Sequence, residues 1–317
     1  MLFIASFFIC LPGYADALTA KQWLEQMRHS ITSKNYDLSF VVISENKANP
    51  WHWLHGKHEG QELEILTSLN GPIQQIVRKG DVVTYIDKQR SVYSVKDSMT
   101  DSPMPDIIRA DLKKIEQSYT FTLVGKSRVA GYKTQLIRVI PKDSSRYAFW
   151  LWLHVDTALP LKTAIVNKKG DVLEQIQVAS FHLLEDVPVA LLDLKQAQLP
   201  IASKVGASTD IAEFDWQVNW VPNGFSPTRI NRHRLYASQQ EVDYLMLSDG
   251  LVWFSVYIRK IGDSEQLLDP NTYLHSGADT YLTQKVGPFE VTVIGEIPPA
   301  TAKRLAQSVT IKTNFSR

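Results

Sequence analysis

From Tyr36 to about His182 the chain repeats short period-two apolar runs separated by glycine turns, and this restricts most of it to one large antiparallel sheet. In Tyr36-Asp-Leu-Ser-Phe-Val-Val-Ile43 the side chains of Tyr36, Leu38, Phe40 and Val42 share one face. Further strand-like runs lie near 50–58, 62–69, 73–79, 82–87, 91–95, 120–125, 134–140, 147–155, 160–167 and 171–182. Asn70-Gly71-Pro72 and Lys79-Gly80-Asp81 supply turns, and Lys168-Lys169-Gly170-Asp171 closes a hairpin. Two segments change to helical period. One opens at Thr19 as N-cap and carries Leu24, Trp23, Met27 and Ile31 on one stripe; the other runs from Pro105 to Tyr119 with Ile108, Leu112 and Ile115.

Prolines 188 and 200 and a Ser/Gly/Ala stretch interrupt this pattern between 183 and 209, around a short helical piece from Leu191 to Gln198. A smaller α+β unit is expected beyond it, with strands near 212–218, 228–236, 242–248, 251–260 and 288–295. Pro298-Pro299 then opens a helix that ends near Ser308. The polar stretch 261–280 reads as a loop. At 317 residues, two domains are expected: 18–185 and 210–317, joined by a linker over 186–209.

The first 17 residues read as a cleaved secretory signal, with an apolar run from Leu2 to Leu11, a Pro12-Gly13 break and Ala15-Asp16-Ala17 as the cleavage pattern. The only cysteine, Cys10, falls inside it, so the mature chain is expected to carry neither a disulfide nor a thiol nucleophile. Removing Asp16 with that segment leaves 34 basic residues against 33 − 1 = 32 acidic ones, too even a balance for a nucleic-acid binder. No later run has the 18 apolar residues that a spanning helix needs.

Catalytic motifs fail one after another. Gly125-Lys126-Ser127 has Thr120 where a phosphate loop needs glycine, and His58-Glu59 is followed by Gly60 and Glu62 rather than a helix with a second histidine. His52, His55 and His58 alternate across a strand, so three imidazoles do not converge on a metal, and they are expected to face solvent. Gly224-Phe-Ser-Pro-Thr228 lacks the closing glycine of a nucleophile elbow. The chain reads as a binding protein, not an enzyme, with no cofactor or metal implied.

Two aromatic strands remain as candidate binding surfaces. Arg146-Tyr-Ala-Phe-Trp-Leu-Trp-Leu-His154 sets Phe149, Leu151 and Leu153 on one face and Trp150 and Trp152 on the other. Such a strand is buried on both sides, or lines a cavity on one. In Leu251-Val-Trp-Phe-Ser-Val-Tyr-Ile-Arg259, the residues Val252, Phe254, Val256 and Ile258 form a core face. Trp253, Tyr257 and Arg259 lie opposite, as residue types enriched at binding hot spots, though packing against the other domain fits them equally.

Five stretches carry a resemblance. They are Val155-Asp-Thr-Ala-Leu-Pro-Leu161, Gly170-Asp-Val-Leu-Glu-Gln175, Phe214-Asp-Trp-Gln-Val-Asn-Trp-Val-Pro-Asn-Gly-Phe225, Leu247-Ser-Asp-Gly-Leu251 and Val293-Ile-Gly-Glu-Ile-Pro-Pro-Ala-Thr-Ala-Lys-Arg-Leu-Ala306. In this order they resemble the RseB/MucB family, the periplasmic negative regulators of the envelope-stress sigma factor. The resemblance implies an N-terminal domain similar to the lipoprotein carriers LolA and LolB, an unclosed antiparallel barrel with covering helices, followed by a smaller C-terminal α+β domain. It implies a periplasmic location and, as partner, the periplasmic domain of the anti-sigma factor RseA/MucA, protected from the site-1 protease DegS until lipopolysaccharide or lipoprotein acyl chains release it. Tyr36, Leu38, Phe40, Phe149, Leu151 and Leu153 are then candidates for a lipid cavity, chosen by alternation, which fits the opposite strand faces equally, and Trp253, Tyr257 and Arg259 are candidates for partner contact. A lipid or lipoprotein carrier of the LolA/LolB type is the alternative, and homo-oligomerisation is left open.

Overall fold

A computed structural model describes residues 18–87, 92–96, 103–202, 214–234, 241–261 and 272–312. Helix α1 (Ala20–Ser33) starts where its chemistry says it should: Thr19 accepts from the Gln22 amide, and the Gln22 side chain accepts from the Thr19 amide at 2.7 Å. Six strands follow as a meander: β1 (Asn35–Ser44), β2 (Lys47–His58), β3 (Gln61–Ser68), β4 (Gln74–Lys79), β5 (Val82–Asp87) and β6 (Tyr93–Lys96). A 3-10 turn at Asp106–Ile108 and the short α2 (Leu112–Ile115) precede β7 (Tyr119–Val129), β8 (Tyr132–Pro141), β9 (Ala148–His154), β10 (Pro160–Val166) and β11 (Val172–Leu184).

All eleven strands form one antiparallel sheet in the order β6-β5-β4-β3-β2-β1-β11-β10-β9-β8-β7, so its two edges are β6 and β7 and the sheet is not closed. α1 lies against β2 and β7 on one face. Its buried stripe, Leu24, Met27 and Ile31, joins Ile107, Ile108, Leu112 and Ile115 in a single core with the inner face of the sheet. On the opposite face, α3 (Val189–Gln196) seats Leu191 and Leu194 over Leu54, Leu63 and Val77. Gly56 leaves it room, because a Cβ there would stand 2.9 Å from the end of the Leu191 side chain and displace it.

The second unit is a six-stranded antiparallel sheet ordered β13-β14-β15-β18-β17-β16, made of β13 (Ser226–Arg234), β14 (Glu241–Ser248), β15 (Trp253–Lys260), β16 (Tyr273–Ser276), β17 (Asp279–Val286) and β18 (Phe289–Gly295). α4 (Pro299–Gln307) covers it, and β12 (Trp216–Val218) pairs with β19 (Val309–Ile311) beside it. The expected α+β class, with an unclosed antiparallel sheet, covering helices and a smaller second sheet, is the observed one.

Three readings are corrected. The 105–119 segment is not one helix: Arg109 is drawn to Glu62 and Glu64, and the Asp111 side chain caps a fresh start by accepting from the Lys113 amide at 3.0 Å. Part of the 261–280 stretch is a hairpin, β16–β17, whose polar alternation hid it; residues 262–271 lie outside the described residues, as do the signal segment 1–17, Cys10 and linker residues 203–209. His55 does not face solvent. It is fully buried on the inner face, stacked on Tyr36 at 4.6 Å.

Candidate functional site

The six lipid-cavity candidates Tyr36, Leu38, Phe40, Phe149, Leu151 and Leu153 all sit on the inner face and are all buried, packed in the core with the helix stripe. As they stand they form a filled interior. Phe149 alone reaches an open space, a cleft of about 590 Å³ between the two sheets. Its N-terminal wall includes Trp51, Ile76, Tyr85, Tyr93, Met104 and Phe149; its C-terminal wall is Leu251, Trp253 and Glu296. Of the partner candidates, Trp253 lines this cleft. Tyr257 packs on Tyr244 at 5.1 Å between ring centres, half-buried. Arg259 is only 4% exposed and forms a paired contact with Glu290 on β18, at 3.2 and 3.0 Å, so it is not presented as a surface cation.

The sheets are held together beside the cleft by a buried lock. Arg146, just before β9, donates to Asp249 Oδ2 at 2.6 Å, and the Tyr119 hydroxyl donates to the same oxygen at 2.9 Å. Asp249 Oδ1 takes the Leu251 and Val252 amides at 2.9 and 2.8 Å. Both charged side chains are fully buried. Arg146 also donates to Asp143 at 2.9 Å and to the Asn223 carbonyl, with its guanidinium 4.8 Å from the Phe225 ring centre. Burial, then the charge of Asp249, pushes the Tyr119 hydroxyl far above its ordinary range, which keeps it a donor.

Turns from the smaller sheet dock at close range. Gly224, at φ +86°, would overlap the Ser118 hydroxyl if it carried a Cβ. Gly277, at φ +60°, would overlap Ser44, and its amide donates to Glu45 at 3.0 Å. The Thr301 hydroxyl donates to the Ser145 carbonyl at 3.1 Å. The cleft is therefore set between anchored walls.

Acidic groups collect where the walls meet. Glu296 follows β18, Glu174 lies on β11 and Asp106 opens the 3-10 turn, and all three line the cleft. Burial, reinforced by Glu174, Asp279 and Asp106, pushes the Glu296 carboxyl up to about 8. Glu174 is raised by burial and by Asp279, and Asp279 by its own burial.

A second polar cluster went unseen in the sequence. His55, Glu62 and Glu64 bring ligand-type atoms within 4.8 Å of one another, a spacing a metal could use. The cluster is already neutralised: Arg109 donates to Glu62 at 2.8 Å and also to Glu64, Arg78 lies 3.4 Å from Glu64, and His55 Nδ1 meets the Lys34 carbonyl at 2.7 Å. Burial works against ionised Glu62, but hydrogen bonds from His55, Glu64 and Arg109 outweigh it and hold that carboxyl well down; Glu64 is raised, chiefly by burial. This cluster fastens the 103–118 segment over the sheet. The signal for it is the tight β2–β3 hairpin, whose register sets His55 opposite Glu64.

Comparison with known proteins settles the family. Residues 19–202 match the model of the MucB/RseB N-terminal domain, and residues 210–310 match that of the MucB/RseB C-terminal domain. The chain belongs to the MucB/RseB family. It is 30% identical over 311 residues to the sigma-E factor regulatory protein RseB of Salmonella typhimurium, covering 97% of this chain and 95% of that one. It is 30% identical over 322 residues to the sigma factor AlgU regulatory protein MucB of Pseudomonas aeruginosa, covering 98% and 96%. Among solved structures, MucB in the Pseudomonas aeruginosa MucA/MucB complex matches with a TM-score of 0.75 at 26% identity, over 93% of this chain and 99% of that one. A crystal structure of MucB with MucA(peri) matches at 0.72 and one of MucB at 0.60. Four of the five stretches that carried the resemblance supply seam residues: Glu174, Asn223 with Gly224, Asp249, and Glu296.

Proposed function

We propose that this chain is a periplasmic negative regulator of an envelope-stress sigma factor, exported by its first 17 residues, which holds the periplasmic segment of an RseA/MucA-type anti-sigma factor and shields it from the site-1 protease. The observation that carries the reading is the aromatic cleft between two locked sheets, in a chain whose fold matches that of MucB in a complex with MucA. The cleft walls come from both units, which suits a segment that lies across them.

Lipid acts by competition. An acyl chain of about twelve carbons contributes on the order of 10 kcal/mol at ~0.8 kcal/mol per buried methylene before ordering costs, enough to bias an equilibrium of a few kcal/mol toward the released state. The apolar wall around Phe149, Trp253 and Met104 offers such a chain a place the partner segment also needs. The carrier alternative is favoured less: its chamber would be the inner face, where the six candidate residues are packed against α1 and the 103–118 segment.

The test is a binding titration of residues 18–317 against the periplasmic segment of the anti-sigma factor encoded with it, with and without lipopolysaccharide. Tight binding that lipopolysaccharide weakens is the expected result. No binding under either condition refutes the reading and leaves the carrier.

A further inference from the structure

The cleft has two chemistries side by side. Trp51, Tyr85 and Tyr93 face it from the N-terminal wall and Trp253 from the C-terminal wall, and Glu174 and Glu296 line the same cleft. No hydrogen bond or ion pair to a basic side chain is seen for either glutamate among the described residues, whereas the buried carboxylates Glu290, Asp249, Asp243 and Glu64 are each met by an arginine: Arg259, Arg146, Arg232 and Arg78. The groups acting on Glu296 are all acidic: Glu174 from β11, Asp279 from β17 and Asp106 from the 3-10 turn, with His275 beyond Asp279. A half-buried acid among acids is the complement of a cation, and apolar walls beside it suit the stem of a long basic side chain.

We propose that the cleft recognises an extended segment of the partner protein in which a lysine or arginine lies next to an apolar side chain, the cation seated against Glu174 and Glu296 and the apolar group against Trp253. This rests on the regulator reading and adds the ligand's chemistry. It also separates the two ends of a competing amphiphile: the tail fits the aromatic side chains, while the described residues lining the cleft offer a phosphate-bearing headgroup no basic side chain.

Seating a cation has a proton signature. With its carboxyl at about 8, Glu296 is mostly protonated in the empty cleft at pH 7, and an arriving ammonium or guanidinium favours the ionised form. Binding therefore expels a proton to the buffer, approaching one per complex at pH 7 and vanishing above roughly pH 9.

The experiment is calorimetric titration of the whole mature chain with the partner's periplasmic segment at pH 7, in buffers of different ionisation enthalpy. Proton release close to one per complex, abolished in Glu296→Gln, together with affinity about tenfold weaker in Glu174→Gln/Glu296→Gln at low salt, is expected. A single Lys→Gln or Arg→Gln change in the segment should reproduce the affinity loss and add nothing to it in the doubly substituted cleft. Binding without proton release, or affinity equal or higher in the Gln variants, overturns the cation and leaves the regulator reading standing. Failure of the wild-type chain to bind overturns both. Thermal melts of the Gln variants confirm that they fold.

Discussion

Arg146→Met should uncouple the two sheets. The substitution leaves Asp249 fully buried with three donors instead of four: the Tyr119 hydroxyl and the amides of Leu251 and Val252. Breaking a buried ion pair from one side costs about 3–5 kcal/mol, because the remaining charge stays desolvated. The three surviving donors favour the lower end of that range. The lost bonds to Asp143 and the Asn223 carbonyl and the guanidinium contact with the Phe225 ring act the other way, the last by about 0.5–2 kcal/mol. A destabilisation of about 4 kcal/mol is expected, and because the lock spans the seam it should appear as loss of cooperativity between the units. Urea unfolding followed by tryptophan fluorescence, which reports both units through Trp53 and Trp216, reads this directly: one transition in the parent and two in the variant. In a double-mutant cycle with Asp249→Asn, the coupling should exceed about 2 kcal/mol. Two single substitutions that each cost under about 0.5 kcal/mol, or that add independently, would refute the claim that this pair joins the domains.

Three other substitutions probe the remaining structure. Phe40→Ala empties a fully buried core position and should cost about 3–5 kcal/mol in chemical denaturation. Gly224→Ala forces a side chain into a left-handed backbone against Ser118, and should lower stability by about 1–3 kcal/mol, with Ser118→Gly recovering the steric part in a thermal melt. The raised Glu296 carboxyl favours the folded state fully below its unfolded value near 4.5, and that contribution is lost as pH rises toward about 8. Glu296→Gln should therefore flatten the decline in denaturation midpoint between pH 5 and 9 and be the more stable protein at the alkaline end.

Most strands were legible because a half-buried strand shows its burial in alternation, as in Tyr36, Leu38 and Phe40. Parity groups these residues on one face, but which face turns inward is visible only in the fold. What they face is not legible either, since α1 fills the space over them and period two carries no trace of that. The β16–β17 hairpin escaped because Thr280, Thr283 and Gln284 satisfy a sheet with hydroxyls and amides rather than hydrocarbon. Arg259 fits a binding hot spot and packing against the other domain equally from sequence, because register across β15 and β18, not composition, places Glu290 opposite it. His55 was misjudged for a related reason: strand alternation sends it away from His52 and His58, but only the fold shows that its side is the interior. The seam residues were present in the family-like stretches, yet Asp249 in Leu247-Ser-Asp-Gly-Leu251 looks like an ordinary turn aspartate until Arg146, 103 positions away, is brought to it.

Whether the partner segment lies in the cleft between the sheets, as proposed, can be read with a photo-crosslinking residue placed at position 253. With the anti-sigma factor's periplasmic segment present, position 253 should crosslink to that segment, lipopolysaccharide should suppress the product, and the same probe at exposed Leu123 on edge strand β7 should give none. A segment that binds but crosslinks at 123 and not at 253 would place the partner outside the cleft and refute the proposed binding site.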